Sequence, residues 1–298
     1  MDIKSLDVFL EIAKSKPKRK IAVSAAADEH VLSSIKEALE ENIVEPILIG
    51  DSKKIKEIAD SIEFNLNGIE IIEEPNAAIS CKTAVKIVRE GKAQVIMKGL
   101  VSTADFLRAI LNKEEGLRKG DMLSHVGFFD PKAYHKVLMI TDAAQNIEPT
   151  LPEKITILNN AVDVYAKIGY PNPKVALLAA VEVVNPKMPS TLDSAAIVQM
   201  NRRNQIKGCI IDGPLAFDNA ISKEASEHKG IVSDVAGDAD LLFVPNIEVG
   251  NVLYKSFTYF GGANVAAMIL GAKVPIVLTS RADSNRSKLL SIALAASY

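Results

Sequence analysis

Val274-Pro-Ile-Val-Leu-Thr-Ser-Arg-Ala-Asp-Ser284 is the stretch that decides the fold. Pro, Ile, Val and Leu follow one another without helical period, as in a strand buried on both faces of a parallel sheet. The run stops at Thr279-Ser280-Arg281-Ala282-Asp283-Ser284, and a helical pattern over 286–296 follows at once. Open α/β sheets bind ligands beyond the carboxyl ends of their strands, where helix N-termini present free N–H groups to anions. A hydroxyl, a guanidinium and a carboxylate stand together at such a place. That combination suits a phosphorylated substrate.

Outward from this turn the chain repeats the same alternation of short apolar runs and amphipathic segments. Strands are expected over 20–27, 46–49, 69–72, 93–97 and 138–140, with helices over 29–41, 51–62 and 76–89. A loop-rich stretch precedes 138. In the second half, helices are expected over 151–168 and 191–201, and strands over 174–180, 209–211 and 241–244. The small-residue-rich stretch 251–270 looks like one long buried helix with a weak point at Gly261-Gly262. The alternation breaks over 141–149, which sets a domain border there. The first α/β domain then comprises 1–141 with 280–298, the second 142–279, and a ligand is expected in the cleft between them.

Composition narrows the function classes. The 298 residues are 48% hydrophobic and 24% charged, as in ordinary folded proteins, and the length favours two domains. Basic and acidic residues number 35 and 37, for a net charge of −2. Bulk electrostatics therefore give no support to nucleic-acid or anionic-membrane binding, and any anion must be caught locally. Cys81 and Cys209 lie far apart with no neighbouring ligand spacing, so both are expected as core residues in a reduced setting. No segment resembles a signal peptide or a membrane span, and a cytoplasmic protein is expected.

No dinucleotide glycine motif, P-loop, zinc-protease helix or nucleophile elbow occurs. His30, His125, His135 and His228 are scattered, which disfavours a histidine metal site or a Ser-His-Asp triad. Four strand-end clusters remain. In Met97-Lys98-Gly99-Leu-Val-Ser102-Thr-Ala-Asp105-Phe-Leu-Arg108, Ser102 and Asp105 suit a helix cap, while Lys98 and Arg108 supply positive charge at a strand mouth. Leu123-Ser124-His125-Val-Gly127 offers a hydroxyl for a phosphate oxygen, with His125 expected as structural. Thr141-Asp142-Ala-Ala-Gln-Asn146 is either a hinge or a substrate contact. Pro245-Asn246-Ile-Glu-Val-Gly250-Asn251 enters a helix, with Asn246 as a cap.

Taken with Val183-Val-Asn-Pro-Lys-Met-Pro-Ser-Thr-Leu-Asp193, Gln205-Ile-Lys-Gly-Cys209 and Asp212-Gly-Pro-Leu-Ala-Phe-Asp218, these clusters resemble the phosphate acetyl/butyryltransferase family. The likeness is greatest to its butyryltransferase branch and runs through nearly the whole chain in order. The resemblance implies two α/β domains with mostly parallel sheets and an interdomain cleft, as in isocitrate and isopropylmalate dehydrogenases. It implies reversible acyl transfer between a short-chain acyl-CoA, butyryl-CoA favoured, and inorganic phosphate, giving an acyl phosphate and CoA. CoA enters as a substrate, with no prosthetic group or metal, in a homo-oligomer built from dimers.

Carried over residue by residue, the resemblance gives Ser280 a hydrogen bond to the thiol sulfur and gives Arg281 the phosphate. It makes Arg108 a second anion contact; from the strand-end clusters themselves, Lys98, Ser124 and Asn146 are candidate phosphate or substrate contacts, and Asn246 and Asn251 candidate CoA contacts. Acetyltransferases of the family carry an Asp, proposed as the base, seven residues after that Ser. Here the position is Ser287, which cannot take the role, and Asp283 is the substitute to test. Acetyl and branched-chain acyl groups remain alternatives to butyryl. A metal-dependent dehydrogenase of similar architecture and a non-catalytic protein that binds CoA or acyl phosphate are the other readings.

Overall fold

The structure is a computed structural model that describes residues 3–120, 122–279 and 283–298. The chain divides into two compact units, a central one of Met1–Leu6 with Met122–Val265 and a flanking one of Asp7–Asp121 with Ala266–Tyr298. The borders expected from sequence lay at 141/142 and 279/280.

The flanking unit starts with α1 (Val8–Ser15), β1 (Arg19–Ser24), α2 (Glu29–Glu40), β2 (Val44–Gly50), α3 (Ser52–Ser61) and β3 (Glu70–Glu73). It continues with α4 (Ala77–Arg89), β4 (Val95–Lys98) and α5 (Thr103–Ile110). The central unit follows as β5 (Ser124–Phe129), β6 (Leu138–Thr141), α6 (Leu151–Lys167), β7 (Lys174–Leu178), α7 (Pro189–Arg202) and β8 (Ile210–Leu215). Its last elements are α8 (Phe217–Ile221), α9 (Lys223–His228), β9 (Leu241–Phe243) and α10 (Ile247–Tyr259). The chain returns through β10 (Val265–Leu270), β11 (Ile276–Val277) and α11 (Asn285–Ser297).

Strands of the flanking unit lie in the order β3-β2-β1-β4-β11-β10, parallel except where β10 meets β11. The central order is β5-β6-β9-β7-β8, parallel except for β5. The continuous apolar runs of the sequence are explained by burial on both faces: Ile21–Val23, Val95–Met97 and Leu241–Phe243 are all buried. Local caps set several helix starts. Asp28 accepts from Val31 N, Asp51 from Lys54 N, and Asn76 from Ala78 N and Ile79 N.

Several elements differ from the sequence reading, among them the short helices α8 and α9, which were not anticipated. The helix expected over 251–270 ends at Tyr259, and Val265–Leu270 is a strand buried at all six positions. Gly262 sits at φ +57° and breaks the helix. Small apolar residues beyond it carry no period that separates helix from strand. Ser124–Phe129 is likewise a fully buried strand where loop was expected. Helix α1 was not anticipated; it packs with α2 on α11, whose residues Ser287–Ser297 are all buried.

Candidate functional site

Each unit presents polar groups at the carboxyl edge of its sheet. In the flanking unit, β11 pairs with β4 through Ile276↔Ile96 and Val277↔Met97, so the register continues to set Leu278 beside Lys98. The Lys98 ammonium donates to Gly99 O at 3.2 Å and Val101 O at 3.1 Å, and so curls over its own loop. That loop is drawn against β1: Gly99 N donates to Ser24 O, and Leu100 N to Ala25 O, each at 2.8 Å. A Cβ on Gly99 would stand 2.4 Å from Ser24 O, so only glycine allows the approach. Beneath it, burial pushes the Cys81 thiol pKa up.

Ser102 caps α5, as expected, by accepting from Asp105 N at 3.0 Å while its hydroxyl donates to Asp105 Oδ2 at 2.7 Å. Hydrogen bonds from Ser102 and then Arg108 hold the Asp105 carboxyl below the usual carboxylate range. Arg108, 74% exposed, pairs with Asp105 on its own helix. Its side chain lines a groove between α4 and α5 together with Lys82, Lys86 and Arg89.

Ser280 and Arg281 lie outside the described residues. Asp283 is half-buried, and its backbone carbonyl accepts from the buried Lys288. The cap of α11 is Ser284, whose Oγ accepts from Ser287 N at 3.1 Å. Ser287 is buried inside the first turn of that helix and accepts from Ser291 Oγ through its carbonyl.

In the central unit, β5 runs against β6 with Gly127↔Ile140, so the same register sets His125 opposite Asp142. Ser124, fully buried, accepts from Asn160 Nδ2 on α6 at 2.9 Å. Asn146 donates both to Leu123 O at 2.8 Å and to Asp142 Oδ2 at 2.6 Å. Asp142 Oδ1 accepts from Ala144 N and Gln145 N. His125 lies on the other face of β5 against Tyr254, ring centroids 5.8 Å apart, and is 6% exposed. Burial lowers its pKa, the Asp142 charge opposing, and its Nδ1 has no hydrogen-bond partner among the described residues.

Asn246 caps α10 by accepting from Val249 N at 3.1 Å; Asn251, in the second turn, is exposed. Gly250 brings the helix against the 142–143 backbone, where an added Cβ would meet Asp142 O at 2.5 Å. At the carboxyl ends of β7 and β9 opens a cavity of about 580 Å³, lined mainly by apolar side chains that include Leu178, Phe217, Val249 and Val252. The structure thus gathers Ser124, Asn146 and Asn246 at one sheet edge with Asp142, Asn160 and Gly250. Sequence reasoning missed Asn160 and the fit of Gly250. The signal for Asn160 was an amide on the buried face of a helix.

The amino edge of the same sheet is built differently. Lys136 bridges Asp238 Oδ1 and Asp240 Oδ1, both at 2.8 Å, and Lys174 and His135 also reach Asp238. Burial acts against the Asp238 carboxylate, but hydrogen bonds from Lys136, Lys174 and His135 outweigh it and hold the pKa far below normal. Among the described residues no cluster of three or more His, Cys, Asp or Glu is placed to hold a metal ion. None of their helices is long and apolar enough to cross a membrane.

Mostly parallel strands with polar groups at their carboxyl edge define an open α/β fold, and likeness to known proteins identifies the family. The model of the phosphate acetyl/butaryl transferase family matches residues 6–80 and 76–296, so the chain belongs to that family of acyltransferases. It is 50% identical over 294 residues to the phosphate butyryltransferase of Clostridium acetobutylicum, covering 99% of this chain and 98% of that one. The crystal structure of a branched-chain phosphotransacylase from Enterococcus faecalis V583 superposes with a TM-score of 0.82 at 36% identity. That alignment covers 94% of this chain and 98% of the other. A 4-hydroxythreonine-4-phosphate dehydrogenase from Klebsiella pneumoniae shares the fold alone, with a TM-score of 0.58 at 14% identity over 93% and 98% of the two chains.

Proposed function

We propose that this chain catalyses reversible transfer of a short acyl group, butyryl by preference, between coenzyme A and inorganic phosphate. The observation that carries the reading is the 50% identity, spread over 99% of the chain, to a phosphate butyryltransferase. In the forward direction a phosphate oxygen attacks the thioester carbonyl and a C–O bond forms. The C–S bond then breaks, and the electron pair leaves with sulfur as a thiolate that takes up a proton. In reverse the thiol must give up that proton; with a pKa of about 8.5 it is only a few per cent ionised near neutrality.

Ser280 hydrogen-bonds the sulfur, and Arg281 grips phosphate in its planar fork. Lys98 and Arg108 add positive charge, and Asn246 and Asn251 serve the CoA side. Ser124 and Asn146 act through their neighbours, by holding Asn160 and Asp142 in place. Asp283 takes the thiol proton, since Ser287 has no carboxylate to offer. A cytoplasmic enzyme assembled from dimers goes with this reading.

A second reading, a branched-chain acyl preference, is favoured by the likeness to the Enterococcus faecalis enzyme. One assay addresses both. Purified protein is given butyryl-, isobutyryl- or acetyl-CoA with phosphate and no nucleotide, and free thiol is followed with a chromogenic reagent. Phosphate-dependent release with the highest kcat/KM on butyryl-CoA is expected; a higher value on isobutyryl-CoA selects the branched-chain reading. No release from any of the three sinks the proposal. Asp283→Asn with near-full activity removes Asp283 from the proton-accepting role.

A further inference from the structure

We infer that Ser80, on the buried face of α4, is a positioning residue: through the Ala25 peptide it sets the loop 99–101 over which Lys98 curls. The phosphate contacts of Lys98 and Arg108 rest on the proposed function. The link from Ser80 to the loop lies wholly in the flanking unit and stands without it.

The link starts where β1 leaves its ladder. The strand ends at Ser24, which pairs with Lys98 of β4. In a regular strand the N–H and C=O of one residue face the same neighbour. Ala25 departs from this, because its φ of +47° lies in the left-handed region, where a residue with a Cβ stays only when its surroundings hold it. Its two polar groups accordingly serve different elements. The N–H donates to Ser80 Oγ at 2.9 Å, whereas the carbonyl accepts from Leu100 N at 2.8 Å. Since Ser24 O takes Gly99 N, two consecutive carbonyls of one strand end grip two consecutive amides of the loop. The grip is tight: a Cβ on Gly99 would lie 2.3 Å from Ala25 O. The loop then runs into Ser102, the cap of α5, which carries Arg108.

A buried helical serine can be satisfied without any partner outside its helix. Ser34, fully buried on α2, donates to Val31 O at 2.8 Å and so serves its own turn. Ser80, also fully buried, makes the matching bond to Ala77 O at 2.9 Å, and its oxygen additionally takes the Ala25 N–H. Alanine at position 80 would favour the helix but leave the N–H of the buried Ala25 without that acceptor. Ala25 then loses a bond that holds it in the left-handed region, and relaxation toward extended backbone turns its carbonyl away from Leu100.

The test combines amide hydrogen exchange of the full chain with steady-state kinetics, for the wild type, Ser80→Ala, Ser80→Thr and Val88→Ala. The last variant removes buried apolar volume from the same helix and controls for a general loss of stability. In Ser80→Ala, exchange at Gly99 and Leu100 should quicken roughly 3- to 10-fold beyond that in Val88→Ala, the factor one hydrogen bond gives. Phosphate KM should rise by a similar factor, with acyl-CoA KM within about twofold of the wild type. Thr keeps the hydroxyl and its bond to the preceding turn, so Ser80→Thr should restore both readings. Exchange at Leu100 that merely matches Val88→Ala overturns the positioning role, as does an unchanged phosphate KM in Ser80→Ala. A Ser80→Thr protein that melts like the wild type yet behaves as Ser80→Ala also overturns it. A wild type that transfers no acyl group refutes the proposed function instead, and the exchange rates alone then decide the link from Ser80 to the loop.

Discussion

Asn146 Nδ2 donates to Asp142 Oδ2 at 2.6 Å, so two polar side chains four residues apart are committed to each other at the carboxyl edge of the central sheet. The same amide nitrogen holds Leu123 O. Asn146→Ala removes both bonds, and at roughly 0.5–1.5 kcal/mol each, stability should fall by about 1–3 kcal/mol. If Asn146 works through Asp142, urea unfolding shifts while phosphate KM stays within about twofold. A large rise in phosphate KM with unchanged stability would return Asn146 to direct substrate contact.

His125 predicts a pH dependence. Its pKa is lowered by burial, so below the unfolded value of about 6.5 the unfolded chain binds a proton that the folded chain refuses. Stability contributed this way is present above that pH and is lost as pH falls. Unfolding curves between pH 5 and 8 should decline toward acid, and His125→Gln should flatten that decline. An unchanged slope in the variant would show that another group sets it.

Gly250→Ala tests the approach of α10 to Asp142. The new methyl would lie 2.5 Å from a backbone oxygen and 2.8 Å from Ala143 Cα, so backbone must move. A loss of a few kcal/mol is expected, in the range of overpacked sites, together with a drop in kcat/KM. Wild-type activity and melting would contradict the close fit.

Lys136 serves the opposite edge. Its side chain is buried between Asp238 and Asp240, and Lys136→Met leaves Asp240 without its cation. Breaking a buried pair on one side costs about 3–5 kcal/mol. Denaturant midpoints should fall accordingly, whereas KM values of the folded fraction should not change.

The cysteines should be silent in a thiol assay. Both are buried, and burial pushes Cys209 up to about 11. Native protein at pH 8 should react with a chromogenic thiol reagent far more slowly than unfolded protein, in which two thiols per chain titrate. Fast native labelling would mean that one of them becomes accessible.

Much of the architecture was legible because its causes are local. Apolar runs such as Val95–Met97, and caps such as Ser102 on Asp105 N, depend on residues within a few positions of each other. The mistaken helix over 251–270 shows the limit: Val265–Leu270 is small and apolar in every register, and only its neighbours make it a strand. Which residue caps the last helix is equally local: Ser284, one residue before the helix start, accepts from Ser287 N.

By itself, then, the sequence determined the βα alternation and the polar turns that end its strands, and through its ordered motifs the family. It did so because burial period and capping bonds are written in neighbouring residues. Only the tertiary structure decided which of those polar groups face one another. Ser124 meets Asn160 across 36 positions, and the cations of α4 meet Arg108 of α5 across a groove. Such pairings follow from strand register and helix packing, and neither leaves a mark within any short window of the chain.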